Sequence, residues 1–475
     1  MWTFLAALIA LISSGAVWLN KVDVPLPPPG QYHTIRNIDP ASVDLTWPAM
    51  EGPYAPNEVL RKAHRLFDNV IQSSETVAVS PGGNLTLLDK YGYVYEAEPA
   101  SKVPNAVFPN EWALDLPALD YLGPGRPLGF HYDAQGNLIV CDSLKGLIMR
   151  EAGTGRLVVL TSRVSPDDPT APGSPLAYTN DLDIARGEGG AIYFSDSQAV
   201  PVGLSPDQGP FYDTFRGFMQ GLYTGVPSGR LLRYDPASRR TEVLASGIFF
   251  ANGVALSADE SFVTVVETTR RRVLRHWLKG PKAGTTDVLI ERLPGFPDGI
   301  SLASDGNFWV ALVVPMNKLP VVLQYKLVRV ILAYLPPWAR PPLPKWGGVL
   351  KISPTGEPLQ LLMDPDGSKI AYVSSIVEHG GRLYFGNVKE NYGDALLPTC
   401  ASPGHQLPLL HKLYGGVRRV VGLDLSRGMV DLALREIEAY EREQRLQGGG
   451  SVAGLEAVVT DASCLNALAP AAAVF

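Results

Sequence analysis

Short runs of aliphatic, β-branched and aromatic residues recur along most of the chain, and turns rich in glycine or aspartate separate them. Residues of this kind suit β-strands. Six segments share the pattern, beginning near Gly83, Gly136, Gly190, Ser261, Gly306 and Gly381. They recur roughly every 45–75 residues, the period of propeller blades that carry loop insertions. No sustained helical period alternates with them, so the pattern predicts an all-β fold, a six-bladed β-propeller, and disfavours a parallel α/β fold.

One apolar segment interrupts this pattern. Leu319–Leu335 is apolar apart from Gln324, Lys326 and Arg329, and a proline pair follows it. The segment predicts a helix within an insertion at about 315–346. We expect this helix either as a lid over one end of the propeller or on a membrane surface. Two basic residues near its middle favour packing against the protein or a membrane surface over spanning a bilayer.

The propeller is expected to cover residues 31–425, with a last strand within Val417–Leu425. The segment Ser426–Gln447 then carries apolar residues on one helical stripe and ends at a glycine triplet, which predicts a helix. The alanine-rich remainder is expected to be a flexible tail. Residues 426–475 would therefore lie outside the propeller.

The N-terminal segment Met1–Leu19 contains no charged side chain. A run of about 18 apolar residues can just span a bilayer as a helix, whereas a signal peptide cleaved after Ala16 is the alternative. The run continues as far as Leu19, which favours a retained signal anchor followed by a linker, together residues 1–30. Either interpretation sends the chain into the endomembrane system, anchored with the propeller lumenal or extracellular, or secreted or vacuolar after cleavage. A sequon at Asn84 predicts a glycoprotein, as a lumenal domain would be.

Composition narrows the classes of function. The 475-residue chain has a formal net charge of −6 at pH 7, which argues against a nucleic-acid-binding protein because such proteins usually carry a basic excess. Its three cysteines form no CxxC pair, so we expect neither a zinc site nor a disulfide framework. Cys141 lies in an apolar strand pattern and is predicted to be a buried free thiol.

Candidate metal ligands come from four short polar motifs at the starts of different blades. They are Glu75, Asn180, Asn252 and Asp298. The chain of a propeller re-enters each blade beside the central axis, so these side chains are expected to converge there. Two carboxylates and two amides suit a hard cation such as calcium, and the lack of sulfur and imidazole argues against zinc. A single Asn-Gly or Asp-Gly pair is usually only a turn, so the prediction depends on the joint occurrence.

Eight longer segments resemble the strictosidine synthase-like family in sequence, order and spacing. They are Gly125–Phe130, Tyr178–Ala185, Ile192–Ser197, Gly229–Pro236, Phe250–Asp259, Val265–Arg275, Leu293–Ile300 and Val377–Gly386. The likeness covers most of the chain, from about Arg61 to Gly386. It is closest to the adipocyte plasma membrane-associated protein branch, which also has an N-terminal membrane anchor. The family is similar to paraoxonases and gluconolactonases, which are calcium-dependent six-bladed propellers.

The resemblance implies a calcium cofactor held by the four residues named above, with departures that bear on activity. Paraoxonases have Asp-Asn where this chain has Asp298-Gly299, so one amide ligand is absent. They also place a histidine, their proposed base, where this chain has Leu128. True strictosidine synthases condense tryptamine with the aldehyde of secologanin and use a glutamate at the position of Ser374. A serine hydroxyl cannot shuttle protons near neutral pH as a perturbed carboxylate can.

Two further residues are candidates for substrate binding. His131 comes near a blade start and could face the central channel, with an ordinary strand-edge role as the alternative. Ser374 takes the place of the synthase glutamate. Neither belongs to a nucleophile–base pair that the sequence reveals.

Three functions follow from these observations. The leading hypothesis is a membrane-associated, calcium-dependent hydrolase of esters or lactones, similar to an arylesterase, in which the ion polarises the substrate carbonyl. The first alternative is a non-catalytic binding or scaffold propeller at the membrane. The second is a condensation of an amine with an aldehyde, disfavoured by Ser374. The expected partners are a small-molecule substrate and a membrane bound through the N-terminal helix, with no nucleic acid.

Overall fold

The computed structural model describes residues 23–26, 31–38, 46–63, 66–67, 71–99, 112–114, 118–187, 189–204, 211–315, 324–335, 343–388, 420–422 and 457–459. The chain divides into two compact units, Met1–Tyr392 and Gly393–Phe475. The predicted N-terminal anchor and the predicted helix Ser426–Gln447 fall outside the described residues.

The first unit is an all-β propeller preceded by a hairpin. Strands β1 (Asp23–Leu26) and β2 (Gln31–Thr34) form the antiparallel hairpin. Blade 1 contains β3 (Val77–Val79), β4 (Leu85–Leu88), β5 (Tyr93–Pro99), β6 (Trp112–Leu114) and β7 (Asp120–Tyr121), with both β6 and β7 paired to β5. Blade 2 contains β8 (Pro127–Tyr132), β9 (Leu138–Asp142), β10 (Gly146–Arg150) and β11 (Leu157–Thr161).

The next three blades each have four antiparallel strands in sequence order. Blade 3 contains β12 (Thr179–Ile184), β13 (Ile192–Asp196), β14 (Gly229–Asp235) and β15 (Arg240–Ile248). Blade 4 contains β16 (Ala251–Leu256), β17 (Phe262–Glu267), β18 (Arg272–Trp277) and β19 (Thr286–Ile290). Blade 5 contains β20 (Gly295–Leu302), β21 (Phe308–Pro315), β22 (Gly347–Ile352) and β23 (Pro358–Asp364).

A two-stranded sheet of β24 (Val373–His379) and β25 (Arg382–Asn387) follows blade 5. The inner strands lie side by side in the order β3, β8, β12, β16, β20 and β24, and β24 also contacts β3, which closes the ring. The described residues therefore hold five complete blades and one two-stranded sheet. A complete sixth blade stays a prediction. In the second unit, β26 (Val420–Gly422) and β27 (Ala457–Val459) pair in parallel.

Buried apolar side chains fill the space between neighbouring blades. Phe130 of blade 2 packs with Val94 of blade 1, and Phe308 of blade 5 packs with Val266 of blade 4. Cys141 is completely buried in the cluster between blades 2 and 3 and is a free thiol, which confirms its prediction. The second strands of the blades, such as β9 and β17, are buried along their whole length because both of their faces are covered, whereas the outermost strands β11 and β19 are partly exposed.

Two helices lie within the described residues of the propeller unit. Helix α1 (Thr214–Thr224) begins after Asp213, whose side chain accepts a hydrogen bond from the backbone N–H of Arg216, and it ends at Gly225 in a left-handed conformation. The sequence analysis missed it. Helix α2 (Lys326–Tyr334) confirms a helix in the predicted insertion, although over a shorter span.

Helix α2 packs against α1 through a buried basic side chain. Arg329 is completely buried and donates hydrogen bonds to the carbonyls of Tyr223, at 2.9 Å, and Arg36, at 2.5 Å. This part of the predicted lid therefore packs against the protein through Arg329. Neither this helix nor any other within the described residues is long and apolar enough to cross a membrane.

Gly253→Ala is expected to destabilise the propeller by about 1–3 kcal/mol, as overpacking in a tight core does. A Cβ atom at this position would lie 2.5 Å from Ile300 N and 2.6 Å from Asp298 O, backbone atoms that cannot move aside cheaply. Gly82→Ala is the control, because the nearest atom there is Ser80 Oγ at 3.7 Å. Thermal melting measures both variants, and equal melting temperatures would contradict the tight packing of the inner strands.

Candidate functional site

The inner strand of each sheet after blade 1 breaks its pairing at the same place. Its register with the second strand shifts between Pro127 and Phe130, Thr179 and Leu182, Ala251 and Val254, Pro297 and Ile300, and Val373 and Ile376. Two residues leave the regular ladder at each break. Such bulges re-aim side chains and are common beside active sites.

The first residue of each bulged pair is buried. These residues are Leu128, Asn180, Asn252, Asp298 and Ser374. Glu75 holds the corresponding position in blade 1, two residues before β3 begins. All four predicted metal ligands therefore occupy one repeated position of the fold.

A cavity of about 130 Å³ lies at this ring of bulges. Glu75, Asn180, Asn252 and Asp298 all line it, together with Leu128. The structure thus brings the four residues together, from four different blades. The rest of the wall is mostly apolar and includes Tyr178, Phe215, Phe218, Met219, Phe250 and Phe296.

Neighbouring residues fix both the side chain and the backbone of Glu75. Its side chain is buried and accepts a hydrogen bond from Thr76 Oγ1 at 3.0 Å. Ser374 Oγ donates to the Glu75 backbone carbonyl at 2.6 Å. Gly386 approaches the same carbonyl so closely that a Cβ atom there would clash with it. The backbone that carries Glu75 is therefore fixed by the last sheet of the ring.

The two amide side chains use their nitrogens within the protein. Asn252 Nδ2 donates to Asp298 Oδ1 and, at 3.2 Å, to Thr268 Oγ1. Asn180 Nδ2 donates to Ser197 Oγ at 3.0 Å. Among the described residues, no donor bonds to Oδ1 of either asparagine, although both oxygens are buried. Because buried polar atoms normally have a partner, these two oxygens are suited to accept a cation or a hydrogen bond from water.

Burial dominates the electrostatics of the carboxylates. Desolvation raises the pKa of Asp298 to about 8, although the Asn252 hydrogen bond opposes the rise. Burial also raises the pKa of Glu75 well above its usual range, and the negative charges of Asp298 and Asp181 add to that rise. Burial likewise raises the pKa of Asp181 to about 6. These carboxyl groups therefore lack a full complement of positive charge around them.

The donor set fits calcium. Two carboxylates and two amide oxygens are hard ligands of the kind that this cation takes, with water completing the shell. In the part of the chain that the structure describes, no three His, Cys, Asp or Glu side chains converge in a metal-binding arrangement. A cation at the axis would consequently depend on the two amide oxygens as well as on the acids.

The other predicted site residues lie off the cavity wall. Ser374 is completely buried behind Glu75. His131 is half-buried in β8. Burial raises the pKa of Asp181 and of Asp183, and the Coulombic interaction of each with His131 opposes that rise. Neither Ser374 nor His131 lines the cavity, so their roles in substrate binding stay predictions.

Asn84 is half-buried in the turn before β4. Its backbone N–H bonds to Ser80 Oγ at 3.1 Å. The hydroxyl group of the sequon residue Thr86 is buried and lies 2.8 Å from the Tyr132 hydroxyl group. Glycosylation at this position also stays a prediction.

Sequence reasoning missed most of the cavity wall. Helix α1 supplies Phe215, Phe218 and Met219 to it. The usable signal was the capping residue Asp213 ahead of apolar residues at helical spacing. The structure also places a buried guanidinium, Arg126, whose charge lowers the pKa of Glu75 and so opposes the effect of burial.

Fold and site together define a β-propeller with a polar, oxygen-rich centre on its axis and an apolar cavity beside it. A family model described as strictosidine synthase matches residues 180–281. An adipocyte plasma membrane-associated protein from Rattus norvegicus is 32% identical over 366 residues, which cover 75% of this chain and 91% of the relative. The strictosidine synthase-like 10 protein from Arabidopsis thaliana is 37% identical over 273 residues, which cover 56% of this chain and 67% of the relative. The chain belongs to the strictosidine synthase-like family, as its motifs predict.

The solved propeller structures that resemble this chain are more distant from it in sequence than the relatives above. A gluconolactonase from Xanthomonas campestris is 19% identical with a TM-score of 0.44, and the match covers 67% of this chain and 84% of that one. A calcium-binding regucalcin from Agrobacterium tumefaciens is 13% identical with a TM-score of 0.40, over 68% of this chain and 85% of that one. Likeness at this distance has no bearing on activity or on the metal.

In chelator-treated protein, the free energy of unfolding should fall as pH rises from about 4 to about 8. The unfolded chain releases the Asp298 proton near pH 3.9, whereas the folded chain, in which burial raises this pKa to about 8, retains it. The stabilisation is therefore complete below about pH 4 and is lost as pH rises through the folded-state pKa. Urea unfolding at several pH values measures this fall in the free energy of unfolding.

Asp298→Asn should flatten this pH dependence. Asp235→Asn is the control, because this residue ends β14, does not line the cavity, and accepts a hydrogen bond from Ser238 that lowers its pKa. The control should keep the wild-type slope. A wild-type stability that is constant over this range would show that the axial carboxyl groups are not protonated in the folded chain.

Proposed function

We propose that this protein is a calcium-dependent hydrolase of esters or lactones, similar to an arylesterase. The observation that supports this most directly is the cavity itself: four oxygen-bearing side chains, two of them with an unused buried oxygen, meet beside an apolar wall. The proposal includes a complete sixth blade and an N-terminal anchor that holds the propeller on the lumenal or extracellular side of an endomembrane.

Glu75, Asn180, Asn252 and Asp298 would hold the ion. Bound calcium would polarise the carbonyl group of the substrate and stabilise the oxyanion that develops there. The two carboxyl groups would lose their protons on binding, since a coordinating carboxylate must be ionised. Thr76 and Ser374, which hold Glu75 in place, position it in the set.

The apolar wall gives the site its preference for substrate. Tyr178 and Phe218 both pack edge-to-face against Phe250, with ring centroids 5.4 Å and 4.8 Å apart. Rings held in this way form a rigid surface for an aromatic or aliphatic group and exclude water from the reacting carbonyl. Thr268 and Thr269 add two hydroxyl groups to the same lining.

A condensation of amine with aldehyde is less well supported. The position of the synthase glutamate is Ser374, which lies off the cavity and donates its hydroxyl hydrogen to the Glu75 carbonyl. It is a structural contact and not a group that can exchange protons with a substrate.

A non-catalytic binding propeller is the second candidate. Leu128 favours it, because this residue lines the cavity where a paraoxonase would present its histidine base. In that case the ion would serve only folding stability, and the apolar cavity would bind a small molecule without turnover.

Calcium should raise the melting temperature of the full chain, and chelation should lower it. A ligand at 100 times its dissociation constant stabilises the folded state by about 2.7 kcal/mol. Magnesium should restore less of the lost melting temperature than calcium does, since it demands a smaller and more regular shell of ligands. Asn252→Ala should weaken calcium binding with the fold retained, and Asp298→Ala should weaken it more because a charge is lost. A melting temperature indifferent to chelator and calcium would refute the metal assignment.

Purified chain should hydrolyse members of a panel of aryl esters and lactones in a calcium-dependent manner. Asp298→Ala should abolish this turnover, and Asp235→Asn should leave it unchanged because Asp235 does not line the cavity. Turnover that survives both chelation and Asp298→Ala would contradict the proposed hydrolase. Calcium-dependent stability without turnover on any substrate would favour the binding propeller.

A further inference from the structure

Large apolar side chains are exposed on the helix pair α1 and α2. Leu327 is 48% exposed, Ile331 49% and Tyr334 56% in α2, while Tyr325 just before it is 65% exposed. Phe215 of α1, which packs against α2 as a neighbouring helix, is 40% exposed. Single exposed apolar residues are ordinary, but a group of this size on two adjoining helices indicates an interaction surface.

The apolar stripe of α2 faces away from the protein core, which makes the exposure of these side chains more unusual. Leu327, Ile331 and Tyr334 follow the spacing i, i+4, i+7 and so form one stripe of the helix. A surface helix normally turns such a stripe toward the protein core. Here the stripe is exposed, and the residue that α2 buries most completely is the basic Arg329.

The charge around the helix pair narrows the choice of partner. Neither α1 nor α2 contains an aspartate or a glutamate, although the chain as a whole has a net charge of −6. Arg216 lies in α1, Lys326 in α2, and the exposed Arg36 joins both helices through its backbone. Basic residues beside an exposed apolar stripe are typical of helices that lie in the interface of an anionic bilayer.

The path of the chain points to the same partner. Strand β1 lies against α2. Ile35, which follows β2, is completely buried with Val330 of α2. The uncharged segment Met1–Leu19 is joined to β1 by only Asn20, Lys21 and Val22. The first described strand after the proposed anchor thus lies against α2.

From these observations we infer that α1 and α2 form a membrane-docking surface, whose apolar side chains enter the headgroup region of an anionic lipid bilayer. The surface is independent of the hydrolase chemistry. It also bears on access to the cavity, because Phe215 of α1 and Gln324, directly before α2, both line the cavity. The bilayer would then lie beside the wall of the cavity.

Depth-dependent quenching tests the surface in the full chain. The protein is reconstituted in vesicles of phosphatidylcholine and phosphatidylserine that contain brominated phosphatidylcholine, a contact quencher of tryptophan. One variant, Tyr334→Trp, adds a reporter on the stripe. The control, Leu359→Trp, adds one at a similarly exposed position of β23. After subtraction of the native emission, the reporter at position 334 should be quenched several-fold more than that at position 359.

A second pair of variants separates docking from the anchor. Leu327→Asp with Ile331→Asp should relieve the quenching at position 334, whereas Val159→Asp with Val288→Asp, on outer strands of two blades, should not. Vesicles without phosphatidylserine should reduce the quenching, because the basic residues favour an anionic surface. Equal quenching at positions 334 and 359 would overturn the inference, since the membrane would then contact the chain only through its N-terminal segment, or a protein partner would cover the helices.

Discussion

The close approach of the inner strands at the propeller axis is the constraint on which the rest of the structure depends. Gly253 contacts the backbone of Asp298, and Gly299 contacts that of Ser374, at distances that leave no room for a Cβ atom. The strands meet this constraint by bulging at one repeated position. The second residue of each bulged pair packs against the neighbouring blade, and the first is left to form the site. Structure and candidate chemistry therefore arise from the same irregularity.

Desolvation follows directly from that packing. Carboxyl groups at the axis are cut off from water by the blades and by the apolar wall, and burial raises the pKa of both Glu75 and Asp298. A buried ionised carboxylate without a counter-charge is costly. Arg126 compensates only partly, and the amide oxygens of Asn180 and Asn252 add unused acceptors. A hard cation would relieve all of these costs together, which is why the metal hypothesis explains more of the site than any single residue does.

The helix pair links this site to its surroundings. Helix α1 contributes aromatic side chains to the cavity on one side and contacts α2 on the other. Arg329 of α2 donates hydrogen bonds to the Tyr223 carbonyl of α1 and to the Arg36 carbonyl of the segment after the N-terminal hairpin. A movement of α1 and α2 would consequently displace side chains in the wall of the cavity. The candidate metal ligands would move less, because they belong to inner strands or to residues next to them that pack against neighbouring blades.

Much of this protein could be predicted from its sequence. The blade segments were recognisable because strand-forming runs and turn glycines are local signals. The oxygen-bearing residues were recognisable because each lies in a short polar motif at the start of a blade. The burial of Cys141 followed from its apolar neighbours in the same strand. In contrast, α1 was missed because its residues read as part of a long connection between β13 and β14. Only the tertiary structure decided that Ser374 supports Glu75 and that Arg329 is buried while Leu327 is exposed, because those outcomes depend on contacts between residues far apart in the chain.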